Sequence, residues 1–309
     1  MTRKPMNSET ERKDVYSRVT ERIISDLEKG VRTWMKPWSA GNAEGKISMP
    51  LRRCGTPYRG VNVLMLWGEA IDKGYSSPIW MTYKQAEEVG GNVRKGEHGS
   101  LVVYANSVTR TETKPETGEE LERSIPFMRG YTVFNAEQIE GLPEVYYHKF
   151  TFDKPAQDRL DAIEAYIGNT RANIQYRGGI ASYSIATDTI KIPPYEAFKD
   201  RQSFYATTLH ELTHWTRHES RLNRSFGRKS WGDEGYAAEE LVAELSSAFL
   251  CAELDITPEV REDHAAYIGN WLKVLKNDKR AIFSAASHAQ RAADYLNTLQ
   301  PAKAMEQAA

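Results

Sequence analysis

The run His210-Glu211-Leu212-Thr213-His214 constrains the fold more than any other stretch of this chain. Its two histidines can grip one ion only if the segment is helical, because residues four apart then share a face. The pattern H-E-x-x-H is the one by which a helix presents two imidazoles to zinc and a carboxylate to the ion's open side. Glu211 is the candidate catalytic base, placed to take a proton from water and return it to a leaving amine. Leu209, Leu212 and Trp215 add an apolar stripe, so the helix is expected to be buried.

A catalytic zinc takes three protein ligands, and the third lies elsewhere in the chain. His218 is about 12 Å from His210 along a helix axis, too far to share an ion. Arg217 and Ser220 stand where a metzincin would need Gly and His or Asp. After a turn-rich stretch from Arg221 to Gly235, residues Tyr236 to Phe249 read as a long helix, with Leu241, Leu245, Phe249 and Ala252 in one stripe. Glu240 and Glu244 stand one turn apart on the neighbouring face, a spacing that suits one ligand and one carboxylate orienting a ligating imidazole. The spacing does not say which is which. The order resembles the gluzincin pattern, which puts the ligand first and so implies Glu240 as ligand and Glu244 as its support. Glu239 is rotated about 100° from Glu240 and is expected to face solvent. Mixed imidazole and carboxylate donors suit Zn2+, with Mn2+ or Co2+ also accommodated.

The chain has 309 residues, room for two domains. No apolar run approaches a membrane span and no signal-peptide core is present, so no membrane partner is expected. Cys54 and Cys251 are isolated from each other, which gives no disulfide framework and points to the cytoplasm. A net charge of −1 conceals an asymmetry. Residues 1–110 hold 18 Lys and Arg against 12 Asp and Glu, and the excess reverses afterwards. A basic first half suits a polyanion.

Periodicity gives an α+β chain. Helices are expected over Ser8 to Gly30, opened by a Ser8/Glu11 capping pattern, over Val61 to Lys73 and over Tyr83 to Val89. Strand-like runs from Leu101 to Val108 and Ile125 to Phe134 flank a polar loop, Thr111 to Glu122. Gly141 to Pro143 suggests a boundary. The division expected is 1–145 for an N-terminal α+β domain able to fold alone, and 146–309 for a second domain. The second domain opens on a helix from Pro155 to Ile167. Ile174 to Tyr176, Ser182 to Ala186 and Thr189 to Ile192 then suggest a small antiparallel sheet before the H-E-x-x-H helix. Trp271 to Leu275 and Ala281 to Leu299 are expected helices, and His288 reads as a structural or surface histidine.

The first half interleaves aromatic and cationic residues. Trp34, Trp38, Tyr58, Tyr75 and Tyr83 fall close to Lys36, Arg52, Arg53, Arg59, Lys84, Arg94 and Lys95, while Trp67 and Trp80 lie in apolar surroundings and read as core. Rings that stack on bases beside cations that follow phosphates hold single-stranded nucleic acid. The glycine-rich basic turn from Gly90 to Gly96 could place N–H groups against a phosphate.

These motifs together resemble the antirestriction proteins of the ArdC type, which share a region with a plasmid conjugative primase. The matching pieces are Trp34-x-x-Pro37-Trp38, Tyr58-Arg59-Gly60-Val61-Asn62, Trp80 through Ala86, Gly91-x-Val93-Arg94-Lys95-Gly96 and Tyr131-x-Val133-Phe134-Asn135. In the second half they are His210 through Trp215, Arg221-Leu222 and Tyr236 through Glu244. The resemblance implies an N-terminal domain that binds single-stranded DNA and a zincin-like metallopeptidase domain. It also implies carriage on conjugative plasmids and protection of incoming DNA from host restriction. Two functions follow as expectations: a protein that shields incoming single strands, or a DNA-directed zinc endopeptidase that cuts host proteins on or near DNA. A general cytoplasmic peptidase, with no preference for single strands, is a third.

Overall fold

The computed structural model describes residues 14–30, 34, 48–113, 120–147, 156–227, 233–256 and 264–301. The first half opens on α1 (Val15–Glu28), which starts where the Asp14 side chain accepts the Ser17 N–H at 2.9 Å. The Ser8/Glu11 capping pattern lies outside the described residues. Strand β1 (Leu51–Arg52) leads through α2 (Val61–Lys73) to β2 (Ile79–Met81), which pairs parallel to β1. After α3 (Tyr83–Glu88) and the short β3 (Asn92–Val93) come two long strands, β4 (Ser100–Thr113) and β5 (Glu120–Asn135). They form one antiparallel hairpin whose register runs from Ser100 opposite Val133 out to Thr113 opposite Glu120. Residues 111–113 and 120–122 of the expected loop are therefore strand, and 114–119 lie outside the described residues. The sequence there holds β-branched residues such as Val108, Thr109, Thr111 and Ile125, which favour a strand despite charged neighbours.

The sheet order is β1-β2-β5-β4, so β4 is an edge. Asn62 on α2 covers it: its side-chain amide donates to the Val103 carbonyl at 2.8 Å and accepts the Val103 N–H at 2.7 Å. The carboxamide takes the place of a neighbouring strand, which satisfies an exposed backbone pair and blocks further pairing there. Strand β6 (Ile139–Glu140) pairs with β3, and Met81, Ala86, Ala136, Ile139 and Leu142 close a small core under α3.

The second half holds α4 (Ala156–Asn169), β7 (Asn173–Tyr176), β8 (Ser182–Ser184), β9 (Thr189–Ile192), α5 (Arg201–Trp215), α6 (Glu234–Leu254), α7 (His264–Asn277) and α8 (Ala281–Thr298). The expected antiparallel sheet is in fact mixed. β9 lies in the centre, parallel to β7 and antiparallel to β8. Ile190 and Ile192 are fully buried, so the most apolar strand takes the middle. The chain crosses to the far side through Gly178, whose φ of 82° favours glycine. Asp188, in the left-handed region, closes the β8–β9 turn and is fastened to Arg221, whose guanidinium lies 3.9 Å from the Trp215 ring centroid.

The main core crosses the expected boundary at 145/146. Val19, Ile23, Leu64, Trp67 and Trp80 pack in one cluster with Leu241, Leu245, Phe249, Trp271 and Ile282. The rings of Trp67 and Phe249 meet at 5.9 Å across it. A second cluster joins Ile190, Ile192, Leu209 and Leu212 to Leu250 and Leu296. Helices α6 and α8 therefore serve both clusters. Helices α6, α7 and α8 thus complete the main cluster of the first half, while the small cluster under α3 lies within the first half alone. Phe249→Ala should cost about 3–5 kcal/mol through the cavity it leaves. Both halves should lose structure in one transition during urea unfolding followed by circular dichroism and tryptophan fluorescence. Two transitions, with only the second half weakened, would show the halves to be independent.

Candidate metal centre

Helix α5 is buried along nearly its whole length, from Ser203 to Trp215, so its polar side chains must find partners inside the protein. The Asp200 side chain caps it by accepting the Ser203 N–H at 2.8 Å. Thr208 and Thr213 donate to carbonyls one turn back, those of Phe204 and Leu209. That leaves His210, Glu211 and His214, all buried, beside α6.

Glu240 stands between the two imidazoles. Its carboxylate oxygens lie 3.5 Å from His210 Nε2 and 3.6 Å from His214 Nε2. The two rings are 4.9 Å apart at 80°. One donor atom from each of His210, His214 and Glu240 falls within 4.8 Å of the others, the only such grouping of three among the described residues. Each histidine also has a carboxylate at its other nitrogen. Glu239 lies 3.1 Å from His214 Nδ1, a hydrogen bond, and Glu244 lies 3.8 Å from His210 Nδ1, beyond hydrogen-bond reach.

Glu239 departs most from expectation. It is 3% exposed rather than solvent-facing. The segment after α5 folds back over the start of α6 and inserts Arg224, itself buried. Arg224 grips both Glu239 oxygens, at 2.7 and 2.8 Å, and donates to Thr216 Oγ1 and the Thr213 carbonyl at 3.0 Å each. The 100° rotation from Glu240 thus points Glu239 at an arginine that no local pattern reveals.

The electrostatics of this cluster call for a cation. With Nδ1–H of His214 donating to Glu239, its Nε2 presents a lone pair toward the Glu240 carboxylate. Two acceptors facing each other in a buried site are unfavourable unless a positive charge lies between them. Without a metal, a proton on the ring supplies that charge. Burial alone would lower the His214 pKa, but the carboxylates of Glu240 and Glu239 raise it to about 10. Burial would raise Glu240, yet His214 and His210 hold it well below the usual carboxylate range. Burial likewise opposes Glu239, and hydrogen bonds from Arg224 and His214 bring it down to about 2. Two imidazoles and a carboxylate, with one imidazole oriented from behind, fit a divalent metal.

The residues singled out for nucleic acid scatter. Trp34 is buried against Trp271, with ring centroids 6.3 Å apart, and Tyr58 is buried too, so neither can stack on a base. Apolar contacts from α7, remote in sequence, claim Trp34. Arg52 lies exposed over the Tyr58 ring, at 5.5 Å. Arg53 pairs with Glu88, Arg59 with Asp294 on α8, and Arg94 with Glu97. Lys84 and Lys95 are exposed. Lys36 and Trp38 lie outside the described residues. Trp67 and Trp80 are core, and His288 stacks edge-on against Phe226 beside Arg291.

Comparison with known proteins covers both halves. A model of the N-terminal domain of the anti-restriction factor ArdC matches residues 13–134, and a model of a zincin-like metallopeptidase matches residues 161–288. The metal-free crystal structure of the antirestriction protein ArdC from plasmid R388 superposes with a TM-score of 0.77 at 46% identity, covering 93% of this chain and 98% of that one. The Mn(II)-bound structure of that protein gives 0.75 at 45% identity, with the same coverage. The uncharacterised protein y4eC of Sinorhizobium fredii is 38% identical over 93% of this chain and 92% of its own length. The DNA primase TraC of Escherichia coli is 38% identical over 96% of this chain, but the match spans 28% of the primase.

Glu239→Gln keeps the shape of the side chain while weakening its hold on His214. It should lower divalent-metal affinity about 10–100-fold, with one site per chain retained in isothermal titration. The His210→Ala, His214→Ala double variant should bind none, and stoichiometric metal in that variant would contradict the centre.

Proposed function

The chain belongs to the ArdC family of antirestriction proteins, and on that premise we propose that it binds single-stranded DNA entering a cell and shields it from host restriction. The overlap along nearly the full length of ArdC carries this reading. The basic first half supports it, since neutralised phosphates release counterions and favour binding. The similarity to a stretch of a DNA primase supports it further. No helix among the described residues is long and apolar enough to cross a membrane, and we assign the protein to the cytoplasm, where incoming DNA meets restriction enzymes.

The same chain carries what a metallopeptidase needs. We assign His210, His214 and Glu240 as ligands of one Zn2+, a site that Mn2+ or Co2+ can also fill. A metal held there supplies Lewis acidity to water and to a peptide carbonyl. Glu211, buried beside His210, is the base that takes the proton from water and delivers it to the leaving amine. Glu239 and Arg224 fix the His214 ring, so its Nε2 keeps its lone pair toward the metal. This grouping favours a second reading, in which the protein is directed to DNA and cleaves host proteins there.

The two readings part at Glu211. Glutamine cannot act as the base, so Glu211→Gln should keep the metal and lose any peptide hydrolysis. If shielding is the function, restriction protection of incoming DNA should survive that substitution at matched expression. Loss of protection with DNA binding intact would shift the assignment to the endopeptidase.

A further inference from the structure

With Trp34 and Tyr58 in the core, the exposed rings among the described residues of the first half are Tyr83 on α3, Tyr147 and a group on the β4–β5 hairpin. Residues opposed across an antiparallel pair point to the same face, as do residues two apart along a strand. The register sets Tyr104 opposite Arg129, Asn106 opposite Phe127 and Val102 opposite Tyr131. All six positions therefore share one face. At its inner end Val102 and Val133 are buried in the main core. Beyond them the face opens to solvent, with Tyr104 48% and Tyr131 44% exposed.

The rings form a continuous strip. Tyr104 meets Tyr131 at 6.4 Å and Phe127 at 6.2 Å, and the Arg129 guanidinium lies 5.4 Å from the Phe127 centroid. Asn106 donates to the Tyr104 hydroxyl at 2.7 Å, which steadies that ring. On the opposite face, Val103, Ala105 and Ser107 stand across from Gly130, Met128 and Pro126, with no aromatic residue among them. The aromatics are thus gathered on one side. Between Tyr104 and Asn106 and their partners the strip carries one cation and no carboxylate.

Exposed rings in a group are uncommon on a surface that meets only water. Rings interleaved with arginine offer π-faces to unpaired bases and charge to their phosphates. We infer that this face of the hairpin is the stacking platform for single-stranded DNA, with bases on Tyr104 and Tyr131 and Arg129 meeting the backbone. The inference rests on the proposed DNA-binding function and gives it a location. A duplex hides the base faces the strip would use, so the platform selects single strands by geometry.

The test uses the full chain and a fluorescent oligothymidylate, read by anisotropy over a range of salt. Tyr104→Ala and Tyr131→Ala should each weaken binding about tenfold with the salt slope unchanged, as expected for lost stacking. Tyr104→Phe should bind like wild type. Arg129→Ala should flatten the salt slope by about one counterion. Tyr104→Trp supplies a second readout, because single strands should quench the new tryptophan and duplex should not. Melting curves establish that each variant is folded. Wild-type affinity in a folded Tyr104→Ala, Tyr131→Ala double variant would overturn the platform and leave the DNA-binding function standing. Failure of the wild-type chain to bind the oligothymidylate would overturn both. An equal loss of duplex and single-strand affinity would replace stacking with a generic surface.

Discussion

Everything in this molecule depends on α6 being buried on more than one side. A surface helix covers one core with one apolar stripe. α6 gives Leu241, Val242, Leu245 and Phe249 to the main core and Leu250 and Cys251 to the second. On the side toward α5 it buries Glu239 and Glu244 and sets the half-buried Glu240 against His210 and His214. A run so rich in Glu is soluble as a free helix, and it becomes an interior element only because each carboxylate meets an imidazole or a guanidinium. α8 braces the same arrangement, with Ala285, Ala286 and Ala289 facing the main core and Ala293 and Leu296 the second.

That arrangement gives the candidate metal centre its rigidity. Ligands from two helices packed in one core cannot drift apart without opening the core. The buried Arg224–Glu239 pair extends the same logic one layer out. Removing either partner would strand an uncompensated charge, a cost of about 3–5 kcal/mol. Glu239 is therefore fixed, and it fixes the His214 ring in turn. The functional consequence is a His214 ring whose orientation is already set, at a point where Glu240 supplies the negative charge.

How much of this was legible depended on whether the cause lay nearby in the sequence. The i, i+4 spacing of His210 and His214 is local, and it placed both rings on one buried face. The next helix was also readable, and Glu240 falls between the two rings. Glu239 was misread because its partner, Arg224, arrives from an irregular segment that no periodicity describes. Trp34 and Tyr58 were misread for a related reason. An aromatic among cations reads as an interface until a remote helix such as α7 claims it for the core. The hairpin strands ran further than their apolar centres suggested, since pairing partners extend a strand past the point where its hydrophobicity fades. The parallel pairing of β7 with β9 followed from which strand took the centre, a choice made by α5 packing on Ile190 and Ile192.

One measurement tests the central claim that the candidate metal centre and the first half share a single cooperative core. Hydrogen exchange is followed in α2, α5 and α6 with and without added Zn2+. An ion that binds only the folded chain raises the free energy of global opening for every amide that exchanges through it. The account predicts that metal slows exchange in α2 by the same factor as in α6. Slowing confined to α5 and α6, with α2 unchanged, would contradict it.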